Sequence, residues 1–176
     1  RTSSSSPASP TLAFFPGSTI GNFHPMEASI FLRRVRRTVG RHGALVLGVD
    51  RRKRASILDA AYDDAAGVTA KFNLNVLARI NRELGADFDL RRFRHRAYFN
   101  STASRVEMHL ESRVAQTVHV TGESIPFGKG ESIWTESSYK YDRTRLRELT
   151  ESAGFHLDRL WTDSKKRFWV AYLSAV

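Results

Sequence analysis

Hydrophobic residues recur at two spacings in this chain, and each spacing predicts a different element. Leu12–Phe15 is a short apolar run that predicts a buried strand, and Ala44–Val49 is a continuous apolar run typical of a strand buried in a parallel sheet. Between them, apolar residues recur every three to four positions from Pro25 until Gly40, which predicts a helix. Strand, helix and strand in this order predict a right-handed βαβ unit.

Three further helices are predicted after Asp50. They run from a capping box at 56–59 to Gly67, from a cap at Thr69 to Gly85, and from a cap at Asp89 to Phe93. Apolar and polar residues then alternate over 105–111, 117–120 and 133–138, which predicts a small antiparallel meander with His109 and His119 as possible neighbours. A helix capped by Asp142 and ending at Gly154, followed by a hairpin of strands 155–162 and 168–173, completes the chain.

The composition limits the classes of function. The 176 residues contain 41% hydrophobic residues, enough for one globular core, and no cysteine, which excludes disulfides, a thiolate nucleophile and cysteine-bound metals. Residues 1–11 are rich in Ser and Pro and are predicted to form a disordered tail. No apolar run approaches the length of a membrane span or a signal peptide, so we expect a cytoplasmic protein without a membrane partner.

A net charge of +10 raises the hypothesis of an arginine-rich nucleic-acid-binding protein. The arginine clusters at 33–37 and 51–54 lack interleaved aromatic residues, and this pattern favours a solvated surface and no nucleic-acid partner. Asp63 and Asp64 are adjacent on a predicted helix, where their side chains diverge, so they favour solvent exposure or helix capping over metal binding. The six histidines contain no HxxxH pair, and no metal site is predicted.

Polar residues stand out in three segments where neither a core nor a turn requires them. The segments are Gly17–Asn22, Ala60–Gly67 and Thr135–Tyr141. The first joins a strand end to a helix start, the place where α/β proteins expose backbone amides to ligands. Its glycines permit positive φ, and Asn22 offers a donor and an acceptor in one planar group.

Together these segments resemble the histidine-specific, S-adenosylmethionine (SAM)-dependent N-methyltransferases of ergothioneine biosynthesis. The resemblance extends from Leu12 to Tyr172. The matching segments are Phe15–Phe23, Ala61–Tyr62, Asp64–Thr69, Phe72–Asn75, Ala78–Gly85, Val106–Leu110 and Thr135–Tyr141. Several unrelated segments in the right order make this resemblance specific.

The resemblance implies an α/β fold: a partial Rossmann-like methyltransferase core, residues 12–50 and 139–176, with an inserted α+β substrate domain at 51–138. It implies L-histidine as substrate and SAM as cofactor. Positions matching Asn22 and Tyr62 hold the amino-acid head group in the family, and those matching Glu136 and Ser138 hold the imidazole. Met108 matches a residue that lines this pocket, and Gly17 and Ser18 match the edge of the cofactor pocket. No residue of the chain is assigned a catalytic role.

One departure from the family is that no strand with a glycine-rich turn precedes Leu12. We therefore expect the chain to begin at the fourth strand of the core, without the main SAM-binding half. The leading hypothesis is a truncated histidine Nα-methyltransferase, which converts L-histidine to hercynine. Two alternatives stay open: a non-catalytic amino-acid-binding fragment or pseudoenzyme, and the nucleic-acid-binding protein.

Overall fold

The computed structural model describes residues 10–176, so most of the predicted 1–11 tail lies outside the described residues. The chain divides into two compact units, one formed by residues up to 52 together with 139–176 (unit 1) and one formed by 53–138 (unit 2). The assignment of 51–138 as a substrate domain stays a prediction. Within residues 10–176, every helix is too short or too polar to cross a membrane.

Four helices and nine strands are described, numbered here in chain order. The helices are α1 (Pro25–Val39), α2 (Ala55–Tyr62), α3 (Val68–Leu84) and α4 (Arg143–Ser152). The strands are β1 (Leu12–Phe15), β2 (Ala44–Asp50), β3 (Phe93–Asn100), β4 (Arg105–Ser112), β5 (Gln116–Val120), β6 (Glu123–Phe127), β7 (Ser132–Tyr139), β8 (Phe155–Thr162) and β9 (Phe168–Ala175). Short 3-10 helices at Thr19–Asn22 and Leu90–Arg92 complete the set.

Unit 1 contains a four-stranded sheet in the order β1-β2-β9-β8. β1 runs parallel to β2, as the predicted βαβ unit requires, while β9 is antiparallel to both β2 and β8. The predicted α/β class is confirmed, but β2 lies in a mixed sheet and not in a purely parallel one. The core of unit 1 lies between the sheet and helices α1 and α4. Its fully buried residues include Leu32, Leu45, Leu47, Leu146 and Leu173.

The prediction that β1 is buried is wrong for half of its residues. Leu12 and Phe14 are 59% and 69% exposed. The opposite face is covered, because the Phe15 ring lies 4.6 Å from that of Phe31 on α1. β1 is the edge strand of the described sheet, so its outward side chains have no neighbouring layer in these residues.

Unit 2 contains a three-stranded sheet, β3-β4-β7, and a separate hairpin, β5-β6. The predicted meander is therefore wrong in its pairing. The loop between β5 and β6 is Thr121 and Gly122, both with positive φ (49° and 88°), which is the geometry of a tight hairpin turn. His119 therefore lies in a different sheet from His109, and its ring contacts Asp87 at 2.8 Å.

The helices of unit 2 differ from prediction at their ends. α2 begins before Ser56 and lacks a side-chain cap, so the predicted capping box is wrong. Thr69 is not a cap either, because the Asp64 carboxylate accepts hydrogen bonds from the N–H groups of Val68 and Thr69 at 3.0 and 2.8 Å. The Thr69 side chain and these backbone groups lower the pKa of Asp64 to about 2. The expected capping role of the Asp63–Asp64 pair thus belongs to Asp64.

Candidate substrate site

Two residues predicted to bind substrate are hydrogen-bonded to each other in unit 2. Tyr62 is the last residue of α2, and its hydroxyl donates to the Ser138 hydroxyl oxygen at 2.9 Å. Ser138 lies near the end of β7 and is only 5% exposed. The two residues are 76 positions apart in the sequence, so it is the fold that brings these two polar segments together.

Glu136 precedes Ser138 by two positions on β7, so the two side chains project from the same side of a regular strand. Glu136 is half-buried, and its carbonyl accepts a hydrogen bond from the Trp134 indole N–H at 3.0 Å. Met108 is buried on the adjacent strand β4, where its carbonyl accepts from the Thr135 hydroxyl at 3.0 Å. Unit 2 therefore holds its four predicted site residues on two neighbouring strands and one helix end.

The three predicted residues of unit 1 lie on the turn after β1. Gly17 and Ser18 both have positive φ (78° and 62°). This conformation favours glycine, which explains the residue at position 17. The Ser18 hydroxyl accepts a hydrogen bond from the Asp50 N–H at 2.7 Å, which ties the turn to the carboxyl end of β2. Asn22 ends the 3-10 helix and is exposed. The cofactor and head-group roles of these residues stay predictions.

Gly48 shows why the turn can approach β2 so closely. A Cβ at this position would lie 2.9 Å from the Gly17 nitrogen and 3.0 Å from the Phe168 ring. Both separations are shorter than ordinary carbon contacts, so only glycine fits without a shift of the turn. A glycine-lined turn against a strand end is the kind of surface at which a ligand can meet backbone amides.

A buried network next to Tyr62 was missed by sequence reasoning. The His95 ring bridges the Tyr62 carbonyl, 2.8 Å from Nε2, and the Asn73 side-chain nitrogen, 3.0 Å from Nδ1. Asn73 lies on α3 and is 1% exposed. The signal was present, because Asn73 precedes the core residue Leu77 by four positions and so occupies the apolar stripe of the helix.

The face of the β3-β4-β7 sheet away from His95 carries a cluster around Glu107, which we call the Glu107 cluster. The carboxylate accepts hydrogen bonds from Tyr98 at 2.7 Å, Arg105 at 2.8 Å and Asn100 at 3.0 Å. Burial raises the pKa of Glu107, but these donors together lower it to about 2. The His109 ring stacks between those of Tyr98 and Trp134, with centroid separations of 5.6 and 5.9 Å. This cluster fixes Trp134, the residue that holds the Glu136 carbonyl.

The arrangement suits recognition of a planar ring that has one N–H and one unprotonated nitrogen. A carboxylate such as Glu136 accepts the N–H, and a serine hydroxyl can donate to the other nitrogen. Among residues 10–176, no group of three or more His, Asp and Glu side chains is placed to hold a metal ion.

Unit 1 also contains a cavity of about 390 Å³ beside α1 and α4. Its lining includes Pro25, Tyr139, Arg145 and Leu149, and its mostly apolar wall does not include the predicted residues of the unit. The buried Lys140 also borders it and forms an ion pair with Asp50 at 2.9 Å.

Comparison with known proteins identifies the family. The family profile described as "Histidine-specific methyltransferase, SAM-dependent" matches residues 1–175. Histidine N-alpha-methyltransferase of Mycolicibacterium smegmatis is 45% identical over 154 residues, which are 86% of this chain and 48% of that protein. Ergothioneine biosynthesis protein 1 of Schizosaccharomyces pombe is 28% identical, over 87% of this chain and 20% of that protein.

Among solved structures, the CcbJ methyltransferase of Streptomyces caelestis aligns with a TM-score of 0.49 and 13% identity, over 94% of this chain and 57% of that chain. The chain spans about half the length of its mycobacterial relative. The profile match covers nearly every residue of the sequence. This chain belongs to the family of histidine-specific, SAM-dependent methyltransferases.

Proposed function

We propose that this chain carries the histidine-recognition residues of a SAM-dependent histidine Nα-methyltransferase, a cytoplasmic enzyme that converts L-histidine to hercynine in ergothioneine biosynthesis. Family membership supports the reaction class. The observation that carries the proposal is the hydrogen bond between the Tyr62 and Ser138 hydroxyls. Ser138 lies on β7, the strand that also contains Glu136. The pair is part-buried, and its two hydroxyls come from segments 76 positions apart in the sequence.

Each residue has a role that its chemistry can fill. In unit 2, Tyr62 orients the head group of the amino acid, while Glu136 and Ser138 pair with the two ring nitrogens. Met108 supplies an apolar, adaptable wall beside the ring. In unit 1, Asn22 contacts the head group, and Gly17 with Ser18 borders the cofactor.

SAM supplies an electrophilic methyl group when bound. The protein's task is then to hold the α-amino nitrogen neutral, with its lone pair directed at the reacting carbon, and to keep water away. Tyr62 serves this task by fixing the head group through its hydroxyl. It does not need to exchange a proton with the substrate.

The test is the substitution Glu136→Ala. Loss of one charge-assisted hydrogen bond, about 1.5–3 kcal/mol, weakens histidine binding by roughly 10- to 150-fold. Binding of phenylalanine, which has the same head group and no ring nitrogen, changes much less. Isothermal titration calorimetry with both amino acids measures the two effects on the same protein.

The matched control is Glu123→Ala, which removes an exposed carboxylate from β6 of the same unit. It leaves both affinities unchanged. Equal losses for histidine and phenylalanine, or an undiminished affinity for histidine, would show that Glu136 does not read the imidazole.

A further inference from the structure

The contacts of His95 determine where its proton lies. Its Nε2 is 2.8 Å from the Tyr62 carbonyl oxygen, which can only accept a hydrogen bond, so Nε2 carries the proton. In a neutral ring Nδ1 is then an acceptor, and the Asn73 amide nitrogen stands 3.0 Å from it. His95 pairs with the fully buried Leu110 across the β3–β4 ladder, which places the ring on the core side of the sheet.

Asn73 confirms this assignment from an independent contact. Its side-chain nitrogen also donates to the His109 carbonyl at 3.2 Å. Turning the amide over would set its oxygen against that carbonyl, so the nitrogen must face both His95 and His109. Since both hydrogens of the amide are used, His95 has to offer an unprotonated Nδ1. The tautomer is therefore fixed from both sides of the ring.

The anchored residue is Tyr62 itself. It ends α2, and the last carbonyls of a helix have no partner within the helix. His95 supplies the missing donor, while the phenol of the same residue reaches Ser138. A backbone anchor and a substrate-facing hydroxyl on one residue mean that loosening the first displaces the second.

We propose that His95 and Asn73 are positioning residues, which hold Tyr62 in its substrate-binding orientation through a neutral His95 protonated on Nε2. This inference rests on the proposed function for the role of Tyr62 but not for the tautomer. The Asn73 side chain also donates to the carbonyl of His109, whose ring stacks on Trp134. The Trp134 indole N–H in turn donates to the Glu136 carbonyl. The Tyr62 end and the Glu136 end of the recognition site are thus linked through one series of contacts.

The first experiment reads the tautomer in the full chain labelled with ¹⁵N histidine. Two-bond proton–nitrogen correlation spectra distinguish a protonated Nε2 from a protonated Nδ1, and His95→Gln identifies the signals of His95. We expect the Nε2–H form at neutral pH. A protonated Nδ1 overturns the proposal.

The second experiment is a double-mutant cycle on histidine affinity. His95→Phe keeps the ring volume and removes both hydrogen bonds, so affinity falls by about tenfold. His95→Gln retains a donor and stays within about threefold of the wild type. His156→Phe, on the exposed face of β8, is the control and leaves affinity unchanged.

The cycle separates positioning from a general structural role. If His95 acts through the Tyr62 hydroxyl, His95→Phe weakens binding by less than about threefold once Tyr62→Phe is present. Additive losses overturn the proposal. If the wild-type chain binds no histidine, the proposed function fails. The NMR signals of the Tyr62 ring then test whether His95 positions Tyr62. They shift in His95→Phe if Tyr62 is released, and unchanged signals refute the positioning role.

Discussion

At the scale of single residues, Glu107 shows how a buried carboxylate can stabilise a fold. It is 5% exposed, yet Tyr98, Arg105 and Asn100 all donate to it. Burial alone penalises the charged form, and only several donors together outweigh that penalty. Because the pKa of Glu107 is lowered to about 2 from an ordinary 4.5, the folded state holds the ionised form more tightly than the unfolded state does.

This difference predicts how the chain responds to acid. The contribution of Glu107 is complete above pH 4.5 and is lost as the pH falls towards 2, since the unfolded state binds the proton first. Glu107→Gln should lower the free energy of unfolding by about 1–3 kcal/mol at neutral pH. It should also flatten the decline between pH 4.5 and 3.

Urea unfolding followed by tryptophan fluorescence at several pH values measures both effects, because Trp134 lies in the Glu107 cluster. The exposed carboxylate variant Glu123→Gln is the control. A wild-type decline that Glu107→Gln fails to flatten would contradict the prediction.

Sequence reasoning found the residues that resemble a family pattern and missed those whose role depends on strand pairing. Tyr62 and Ser138 were predicted as site residues and lie in contact. His95 and Glu107 were not singled out, because their partners Asn73 and Tyr98 become neighbours only once the register of β3 on β4 is known. A polar residue in an apolar helical stripe, as at Asn73, was the one local signal available.

At the scale of elements, the start of α3 depends on an acceptor that lies outside the helix. Asp64 accepts from the Val68 and Thr69 N–H groups, and Gly67 precedes the helix with φ 68°. A carboxylate at this end also interacts favourably with the helix dipole. Asp64→Ala should therefore lower the melting temperature of the chain and fray the first turn of α3, measured by circular dichroism and amide hydrogen exchange.

The neighbouring Asp63→Ala is a matched control, since it removes an exposed carboxylate one position away. It should leave exchange at Val68 and Thr69 unchanged. Equal protection of these two amides in Asp64→Ala and the wild type would refute the capping role. In the wild type, the Asp64 contribution is present above pH 3.8 and is lost towards pH 2, the direction expected of a lowered carboxyl pKa.

Elements with local signals were predicted well. α1 has a proline in its first turn and a glycine after its end, α4 has the Asp142 cap, and β8 and β9 flank a polar turn. β6 was missed because it contains Pro126 and because only one of its five residues, Phe127, is buried. β3 was missed for two reasons. Its first residue, Phe93, directly follows a short capped helical turn, and Arg94 and Arg96 interrupt its apolar residues.

At the scale of the whole molecule, several arginines form ion pairs with nearby carboxylates. Arg79 pairs with Glu83, Arg91 with Asp89, and Arg105 with Glu107. Composition alone gave only the net charge of +10, which is why it left a nucleic-acid hypothesis open. Pairing is a property of the fold, and composition cannot supply it. The family resemblance succeeded because it used the order of several separate segments.

The division into two units leads to a final prediction about autonomy. The core of unit 2 consists of residues from within 53–138 only, and its buried members are Leu77, Phe88, Phe93, Leu110, Val118 and Phe127. Three of them are phenylalanines with ring centroids 5.5 to 6.2 Å apart. Since this core needs no residue from unit 1, a fragment of residues 53–138 should fold alone.

The test compares proton–nitrogen correlation spectra of the fragment and of the full chain. We expect dispersed signals that overlay on those of the same residues in the full chain, and the upfield methyl signals of Leu77 and Leu110 packed against aromatic rings. Leu110→Asp places a charge in the core and should abolish this dispersion in the fragment. A collapsed spectrum for the unmodified fragment would show that unit 2 depends on residues outside 53–138 for its fold.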